Sequence, residues 1–459
     1  MKIPDSWEGL RVGVLGLGRS GRGAARLLAG VGASVYASDV ADDEELRAQA
    51  ERVRDLGVEV ELGGHDAAIL ASCDYLVVSP GIPPSADIFK TPGIGDRPMI
   101  SELELAFNFL DAPLIAVTGT NGKTTTTAWI GAMLEDAGLR AGVGGNIGRA
   151  LSELAADGQA FDWVVVEASS FQLAHTVRFN PAIGVLLNLR PDHLDRYVDV
   201  ERYYADKARL FANATSKSRW VLNAEDEGVI GLTEGCPGRR RYFAVTAELG
   251  DDREGAFLGE SGALTVRCDA EEVELVDRKE IRLLGSHNVA NALAASLVAA
   301  YAQLPVPSIR ETLRRFEPLP HRLQPVGEYG GVQWINDSKA TNVASTRVAL
   351  GAIGRPVVLL LGGRGKGESF SDLLSEVTVE IRAVVAYGEA AGQIEAELAD
   401  RVSVVREDGP FEEVVRLASR LARPGDAVLL SPACASFDMF RDFEERGTRF
   451  AVLAEGEGA

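Results

Sequence analysis

The 459 residues are 46% hydrophobic and 25% charged, an ordinary globular composition, and carry a formal charge of −20. So long a chain exceeds one hydrophobic core and implies several domains. So acidic a surface argues against nucleic acid and anionic membrane as principal partners, yet glycines, helix N-termini and a few lysines can still build a local anion site.

The N-terminal segment, with Asp5 and Glu8, lacks the apolar run of a signal peptide. No later stretch approaches the ~20 apolar residues of a membrane span. Arg11–Leu15 reads as a strand, Gly21–Leu28 as a helix, Ser34–Ala37 as a strand and Asp42–Leu56 as a charged helix. Between the first two lies Gly16-Leu17-Gly18-Arg19-Ser20-Gly21, a dinucleotide-type loop, with Asp39 about 20 residues on. Such glycines let a diphosphate approach the backbone at a helix N-terminus; NAD is one such ligand and a UDP-sugar another. Tyr75–Val78 is a further strand and ends in the turn Ser79-Pro80-Gly81. Proline and glycine cluster from Pro83 to Pro98, which places a domain boundary between Pro98 and Pro113.

Strand Leu114–Val117 runs into Thr118-Gly119-Thr120-Asn121-Gly122-Lys123-Thr124-Thr125 and then a helix. Backbone N–H groups of such a loop can wrap phosphate oxygens, Lys123 can reach the β- and γ-phosphates, and Thr124 can hold Mg²⁺. Val117 stands where the general pattern has its first glycine, so this is a variant loop. Strand Trp163–Val166 ends at Glu167, and strand Ile183–Leu187 precedes Asn188-Leu189-Arg190-Pro191-Asp192-His193. Alone, Glu167 or His193 reads as a satisfied polar group at a strand end. Together, beside a phosphate loop, they favour a metal site. Lys207, in the amphipathic stretch Glu201–Phe211, reads from its residue pattern as a solvated surface lysine. Short strands such as Leu264–Arg267 and Val273–Val276 suggest antiparallel excursions between Arg239 and Leu284. Asn288 and Asn291 share one face at the start of a helix, where they could read an adenine or cap the helix. Pro305, Pro307, Pro318 and Pro320 mark a second boundary near residue 318.

Strands Val357–Leu361, Ala383–Ala386, Val402–Val405 and Ala427–Leu430 then alternate with helices. The loop Gly362-Gly363-Arg364-Gly365-Lys366-Gly367 is either an anion loop charged by Lys366 or a flexible surface loop. His321-Arg322 and Asp337–Asn342 are two charged clusters, and Arg322 suits a phosphate clamp. The four cysteines show no metal-ligand spacing, which fits a reducing compartment, and Cys434 reads as an inert buried thiol. Alternation throughout predicts an α/β chain of three domains with mainly parallel sheets. Residues 1–104 are expected to be Rossmann-like, 105–318 P-loop ATPase-like and 319–459 Rossmann-like.

These motifs resemble the Mur ligase family, which also includes folylpolyglutamate synthetase, along the whole chain. The resemblance rests on Gly119–Thr124, Glu167, His193, Asn288 and Asn291, His321-Arg322 and Asp337–Thr341. Ser169–Leu173, Asp192–Tyr197 and Ser431–Asp438 look like the branch that adds D-glutamate. It implies a monomeric, cytoplasmic, ATP- and Mg²⁺-dependent ligase of peptidoglycan precursors. Its substrates would be UDP-N-acetylmuramoyl-L-alanine and D-glutamate, joined through an acyl phosphate. ATP would be held by Gly119, Thr120, Asn121, Gly122, Lys123, Thr124, Thr125, Asn288, Asn291, Arg322 and Asp337. Magnesium would be met by Thr124, Glu167, His193 and a carbamylated Lys207, with Lys123, His193 and Lys207 catalytic. Arg19, Ser20, Ser79, Gly81, Asn146, Ser169 and Gln172 would line the UDP-muramoyl site. Lys339, Thr341, Lys366, Ser436 and Phe443 would line the D-glutamate site. In such proteins Thr-Arg can follow the aspartate at position 39; here Val40-Ala41 stand instead. The alternatives are another ligase of the family, a nucleotide-binding regulator without catalysis and, from the first loop alone, an NAD-dependent oxidoreductase.

Overall fold

The computed structural model describes residues 2–83, 86–192, 196–246, 249–250, 253–269, 271–374 and 379–457. His193 lies outside them. Three sheets carry the strand–helix alternation. The first comprises β1 (Arg11–Leu15), β2 (Ser34–Asp39), β3 (Glu59–Leu62), β4 (Tyr75–Val78) and β5 (Met99–Ser101). Its order is β3-β2-β1-β4-β5, every pair parallel, so the strand order reverses at the β1–β4 gap. A reversal of this kind leaves a crevice beyond the carboxyl ends of the strands.

The central sheet has nine strands: β6 (Leu114–Thr118), β7 (Ala141–Gly145), β8 (Trp163–Glu167), β9 (Ile183–Leu186), β10 (Arg219–Asn223), β11 (Arg239–Ala244), β12 (Gly255–Leu258), β13 (Ala263–Cys268) and β14 (Glu271–Asp277). Their order is β14-β13-β12-β11-β10-β9-β6-β8-β7. β6 is buried at every position and flanked by β8 and β9, as a doubly covered parallel strand should be. Its neighbours therefore deliver Glu167 and Asn188 to the loop that follows it. Among the described residues of this sheet only β12–β13 and β13–β14 are antiparallel; β11–β12 is parallel, so the excursion is shorter than the pattern from Arg239 to Leu284 suggested.

The third sheet contains β15 (Gln324–Tyr329), β16 (Val332–Asn336), β17 (Val357–Gly362), β18 (Ile381–Tyr387), β19 (Val404–Glu407) and β20 (Ala427–Leu430), in the order β15-β16-β20-β17-β18-β19. All pairs but β15–β16 are parallel. By packing, the chain forms two compact units, Met1–Arg278 with Ala290–Leu313, and Lys279–Val289 with Arg314–Ala459. The first two sheets belong to the first unit and the third sheet to the second. Among the described residues no helix is long and apolar enough to cross a membrane.

Several elements escape the sequence pattern for physical reasons. β7 is Ala-Gly-Val-Gly-Gly, a poor strand former held by its pairing with β8. β5 is only three residues long. The charged helix runs Glu44–Arg54, shorter than expected, because Asp43 caps it by accepting the Leu46 N–H at 2.8 Å.

Candidate active site

The first glycine loop joins β1 to the helix Arg19–Gly30. A Cβ on Gly21 would lie 1.8 Å from the Gly16 carbonyl oxygen, so only glycine permits this turn. Asp39 closes the loop from the end of β2: one carboxylate oxygen accepts the Leu17 N–H at 2.7 Å and the other the Ala41 N–H at 2.9 Å. The carboxylate that a dinucleotide pattern would give to a ribose is here bonded to backbone. A cavity of ≈ 630 Å³ opens beside the loop, lined by Arg19, Ser20, Ser79, Gly81 and Asn146 among others. The Ser79 hydroxyl donates to Gly16 O at 3.1 Å, and Arg19 donates to Gly148 O at 2.6 Å. Gln172 lines neither this cavity nor the next. Its amide oxygen accepts from Ser169 N–H and Oγ in a capping box that starts the helix Ser170–Ala174.

The second loop lies between β6 and the helix Lys123–Asp136, with Gly122 left-handed at φ 84°. A Cβ there would come within 2.4 Å of Asn291 Oδ1, and that oxygen also accepts from the Thr126 hydroxyl at 3.2 Å. Asn188, beyond β9, grips the loop at both polar ends of its amide: Oδ1 accepts the Asn121 N–H at 2.8 Å and Nδ2 donates to Asn121 O at 3.1 Å. Lys123 folds back, Nζ donating to Gly119 O at 2.9 Å and Thr120 O at 2.6 Å. Asn188 was missed as a site residue, although it opens the segment quoted for His193.

Lys207 contradicts its residue pattern. It is 1% exposed, donates to Gly119 O at 2.9 Å, and lies 4.5 Å from the centre of the Tyr203 ring one turn earlier. Burial, then the charge of Lys123, holds its ammonium well below the ordinary lysine range, against the pull of Asp192 and Glu167. The amphipathic pattern failed because the helix Val200–Ala208 packs both Tyr203 and Lys207 inward. Glu167 is 2% exposed; Oε1 accepts the Asn146 amide at 2.8 Å, while Oε2 has no hydrogen-bond partner among the described residues. An orphaned buried carboxylate oxygen beside a phosphate loop fits a cation that arrives with its ligand. Lys123, Lys207, Ser169 and Arg196 line a second cavity of ≈ 310 Å³, which shares Pro80, Gly81 and Asn146 with the first.

In the second unit, β16, β20 and β17 are neighbours, so their carboxyl ends converge. Asp337 follows β16; its carboxylate accepts the Leu323 N–H at 3.1 Å and the Ser431 hydroxyl at 2.8 Å. Burial pushes its pKa up to about 7. Arg322 is close enough to oppose that shift. Lys366 Nζ donates to Thr341 Oγ1 at 3.2 Å, and Lys339 Nζ lies 4.5 Å from the centre of the Phe443 ring. The third glycine loop is pinned rather than loose, for Arg364 exchanges backbone hydrogen bonds with Ala435, next to buried Ser436. Arg446, fully buried and not anticipated, clamps both segments by donating to Ser338 O at 2.8 Å and Cys434 O at 3.2 Å. Cys434 is inert: burial pushes its thiol up to about 12. Asn288 donates to Leu284 O at 2.7 Å.

A parallel strand feeding a phosphate loop, a buried carboxylate at the next strand end and a second glycine loop on a parallel sheet define a nucleotide-dependent α/β enzyme. Family models match three segments: "Mur ligase MurD-like, N-terminal domain" over residues 10–92, "Mur ligase middle domain" over 117–299 and "Mur ligase, glutamate ligase domain" over 321–434. The chain is 42% identical to the UDP-N-acetylmuramoylalanine–D-glutamate ligase of Salinibacter ruber, covering 98% of this chain and 99% of that one. It is also 42% identical to the enzyme of that name from Pelotomaculum thermopropionicum, covering 96% and 97%. The fold is similar to a pseudomurein peptide ligase from Methanothermus fervidus (TM-score 0.61, 20% identity, 97% and 100% covered). It is similar again to UDP-N-acetylmuramate–alanine ligase from Thermotoga maritima (TM-score 0.61, 19% identity, 97% and 99% covered). The chain belongs to the Mur ligase family, and it is an ATP-dependent ligase.

Proposed function

We propose that the chain joins D-glutamate to UDP-N-acetylmuramoyl-L-alanine through an acyl phosphate. The relatives named for that reaction support it, and one observation carries it: the cavity at the first loop and the cavity holding Lys123 and Lys207 share Pro80, Gly81 and Asn146. A substrate with its diphosphate on the first loop can therefore present its far carboxylate to the second. Arg19, Ser20, Ser79, Gly81 and Asn146 bind that substrate, Ser169 lies beside its reacting end, and Gln172 supports Ser169 through the capping box. Gly119–Thr125 and Asn291 hold the ATP phosphates, and Asn288, Arg322 and Asp337 complete the nucleotide's contacts.

The carboxylate is a poor electrophile. Its attack on the γ-phosphorus yields the acyl phosphate and ADP, while Lys123 turns from its own carbonyls to the phosphoryl oxygens as charge moves. The neutral D-glutamate amine then attacks the acyl carbon, inorganic phosphate leaves the tetrahedral intermediate, and the nitrogen gives up one proton as the amide forms. Lys366 with Thr341 anchors one carboxylate of D-glutamate; Lys339, Ser436 and Phe443 form the other wall.

Thr124, Glu167 and Lys207, with His193, are the residues that would hold Mg²⁺. Bound there, the metal would neutralise phosphoryl charge. Lys207 suits this only when altered: as a neutral buried amine it can add to CO₂, releasing one proton and becoming a carbamate, an oxygen ligand magnesium accepts. In this reading residues 1–104 take the UDP-sugar, 105–318 ATP and 319–459 the amino acid, and the enzyme works as a cytoplasmic monomer. The test is ADP release with UDP-N-acetylmuramoyl-L-alanine, with and without D-glutamate. Sustained release should require both, and full turnover with another amino acid alone would refute the substrate assignment.

A further inference from the structure

The cavity at the first loop has two ends. β4 and β2 lie on opposite sides of β1, so Pro80 and Gly81 sit at one end while Asp39, Val40 and His65, beyond β2 and β3, sit at the other. The first end is shared with the cavity of Lys123. A substrate whose diphosphate lies on the loop and whose carboxylate reaches Lys123 must then place its nucleoside at the second end, a step that rests on the function proposed above.

Each oxygen of Asp39 already accepts one loop N–H group, and the Val40 side chain, 70% exposed, offers apolar surface. His65 is different. Its Nδ1 lies 2.8 Å from the hydroxyl of Ser38, which is wholly buried, and no described residue hydrogen-bonds its Nε2. The backbone on either side is held: the Gly64 N–H donates to Asp39 O at 3.1 Å, and the Asp66 N–H is shared between Tyr36 Oη at 2.8 Å and Glu61 Oε2 at 2.9 Å. A ring fixed through one nitrogen and through both backbone neighbours, in the lining of the cavity and with no described partner on its second nitrogen, is preorganised for recognition.

We propose that His65 is a specificity residue whose Nε2 hydrogen-bonds the polar edge of the pyrimidine base of the nucleotide-linked substrate. Burial holds the imidazole below its ordinary pKa despite the nearby carboxylates of Asp39 and Glu61, which favours the neutral ring. It therefore reads by hydrogen bond and not by charge. One engaged nitrogen leaves the other a donor or an acceptor, and the uracil edge offers partners for either.

Asparagine and glutamine separate the two ring nitrogens, because the asparagine amide falls near Nδ1 and the glutamine amide near Nε2. The full chain is titrated calorimetrically with UDP and with CDP as wild type, His65→Gln and His65→Asn. His65→Gln should bind UDP within about twofold of wild type, and His65→Asn about fivefold or more weakly, the scale of one lost hydrogen bond. The preference for UDP over CDP should narrow in His65→Asn. If asparagine retains the affinity and glutamine loses it, the ring serves only Ser38 and the proposal is overturned, as it is if neither variant changes. A wild-type chain that takes up no UDP removes the assignment of the cavity itself, a failure visible before any variant is compared.

Discussion

The two glycine loops of the first unit share a plan, a buried parallel strand running into a helix, but they are finished differently. The Gly16 loop is closed by the Asp39 carboxylate, and the one cation among the described residues lining its cavity, Arg19, is tied to the Gly148 carbonyl. The Gly119 loop is closed by a neutral amide, Asn188, and has two lysines turned onto its carbonyls. A diphosphate that is only carried needs a rigid cradle, and fixed N–H groups provide one. A phosphoryl group that moves needs charge that can follow it, so that loop keeps a cation on a flexible stem. A carboxylate at the second loop needs a cation to offset it, as proposed for Glu167; at the first loop the Asp39 charge is met by the two backbone N–H groups it accepts.

The sharpest way to break this contrast is to remove the mobile charge. Lys123→Ala should lower kcat by about 10²–10³-fold, the scale of one lost contact to transition-state charge, with an unchanged circular dichroism spectrum. Turnover within tenfold of wild type in a coupled ADP assay would show that the second loop is merely another cradle.

Lys207→Ala comes next, with an expected loss of about 10²-fold, partly restored by acetate as a substitute oxygen ligand. Labelled ¹³C-bicarbonate should give a carbamate resonance in the wild-type chain that the variant lacks. Its absence from both would leave Lys207 a buried amine and nothing more. The linkage sign is also testable in CO₂-free buffer. Because the folded-state pKa lies below the ordinary lysine value, the folded chain binds fewer protons than the unfolded one, and stability should fall as pH drops below the ordinary lysine range. Lys207→Met should flatten that slope.

The third glycine loop, with exposed Lys366, tests whether the contrast extends to the second unit. Lys366→Ala should raise the KM for D-glutamate about tenfold while moving that for ATP less than twofold, because its partner here is Thr341 and the charge it would anchor belongs to the amino acid. Equal rises in both would place it at the nucleotide.

Much of this was legible in the residues. Both phosphate-type loops, Glu167 at a strand end and the clustering of Asp337 to Thr341 follow from glycine spacing and from apolar runs that stop at polar residues. What stayed hidden depends on long-range packing. Lys207 follows Tyr203 by four, a helical spacing equally consistent with a solvated face; only the loop above it decides that both are buried. Arg446 sits in a charged stretch, Glu444-Glu445-Arg446, and nothing local says that it alone points into the sheet to clamp Ser338 and Cys434. Asp39 was legible as a residue that matters but not as a clamp, because its partners, Leu17 and Ala41, are backbone groups that any sequence would supply.

That clamp yields the smallest predicted effect. Asp39→Asn leaves one acceptor oxygen where two N–H groups need one each, so either Leu17 or Ala41 loses its bond. The cost of one such bond is about 1 kcal/mol, and it falls on the geometry of the loop, not on the chemistry. The KM for the UDP-linked substrate should rise about fivefold, with kcat within twofold of wild type. The same titration decides what the loop was built for. Were Asp39 a ribose ligand in a dinucleotide site, wild type would bind NAD⁺ at micromolar concentration and the variant would lose it. A cradle whose aspartate is already bonded to its own backbone should give no heat with millimolar NAD⁺ in either form. An unchanged KM in Asp39→Asn would show instead that the glycines alone hold the loop and that the carboxylate is dispensable.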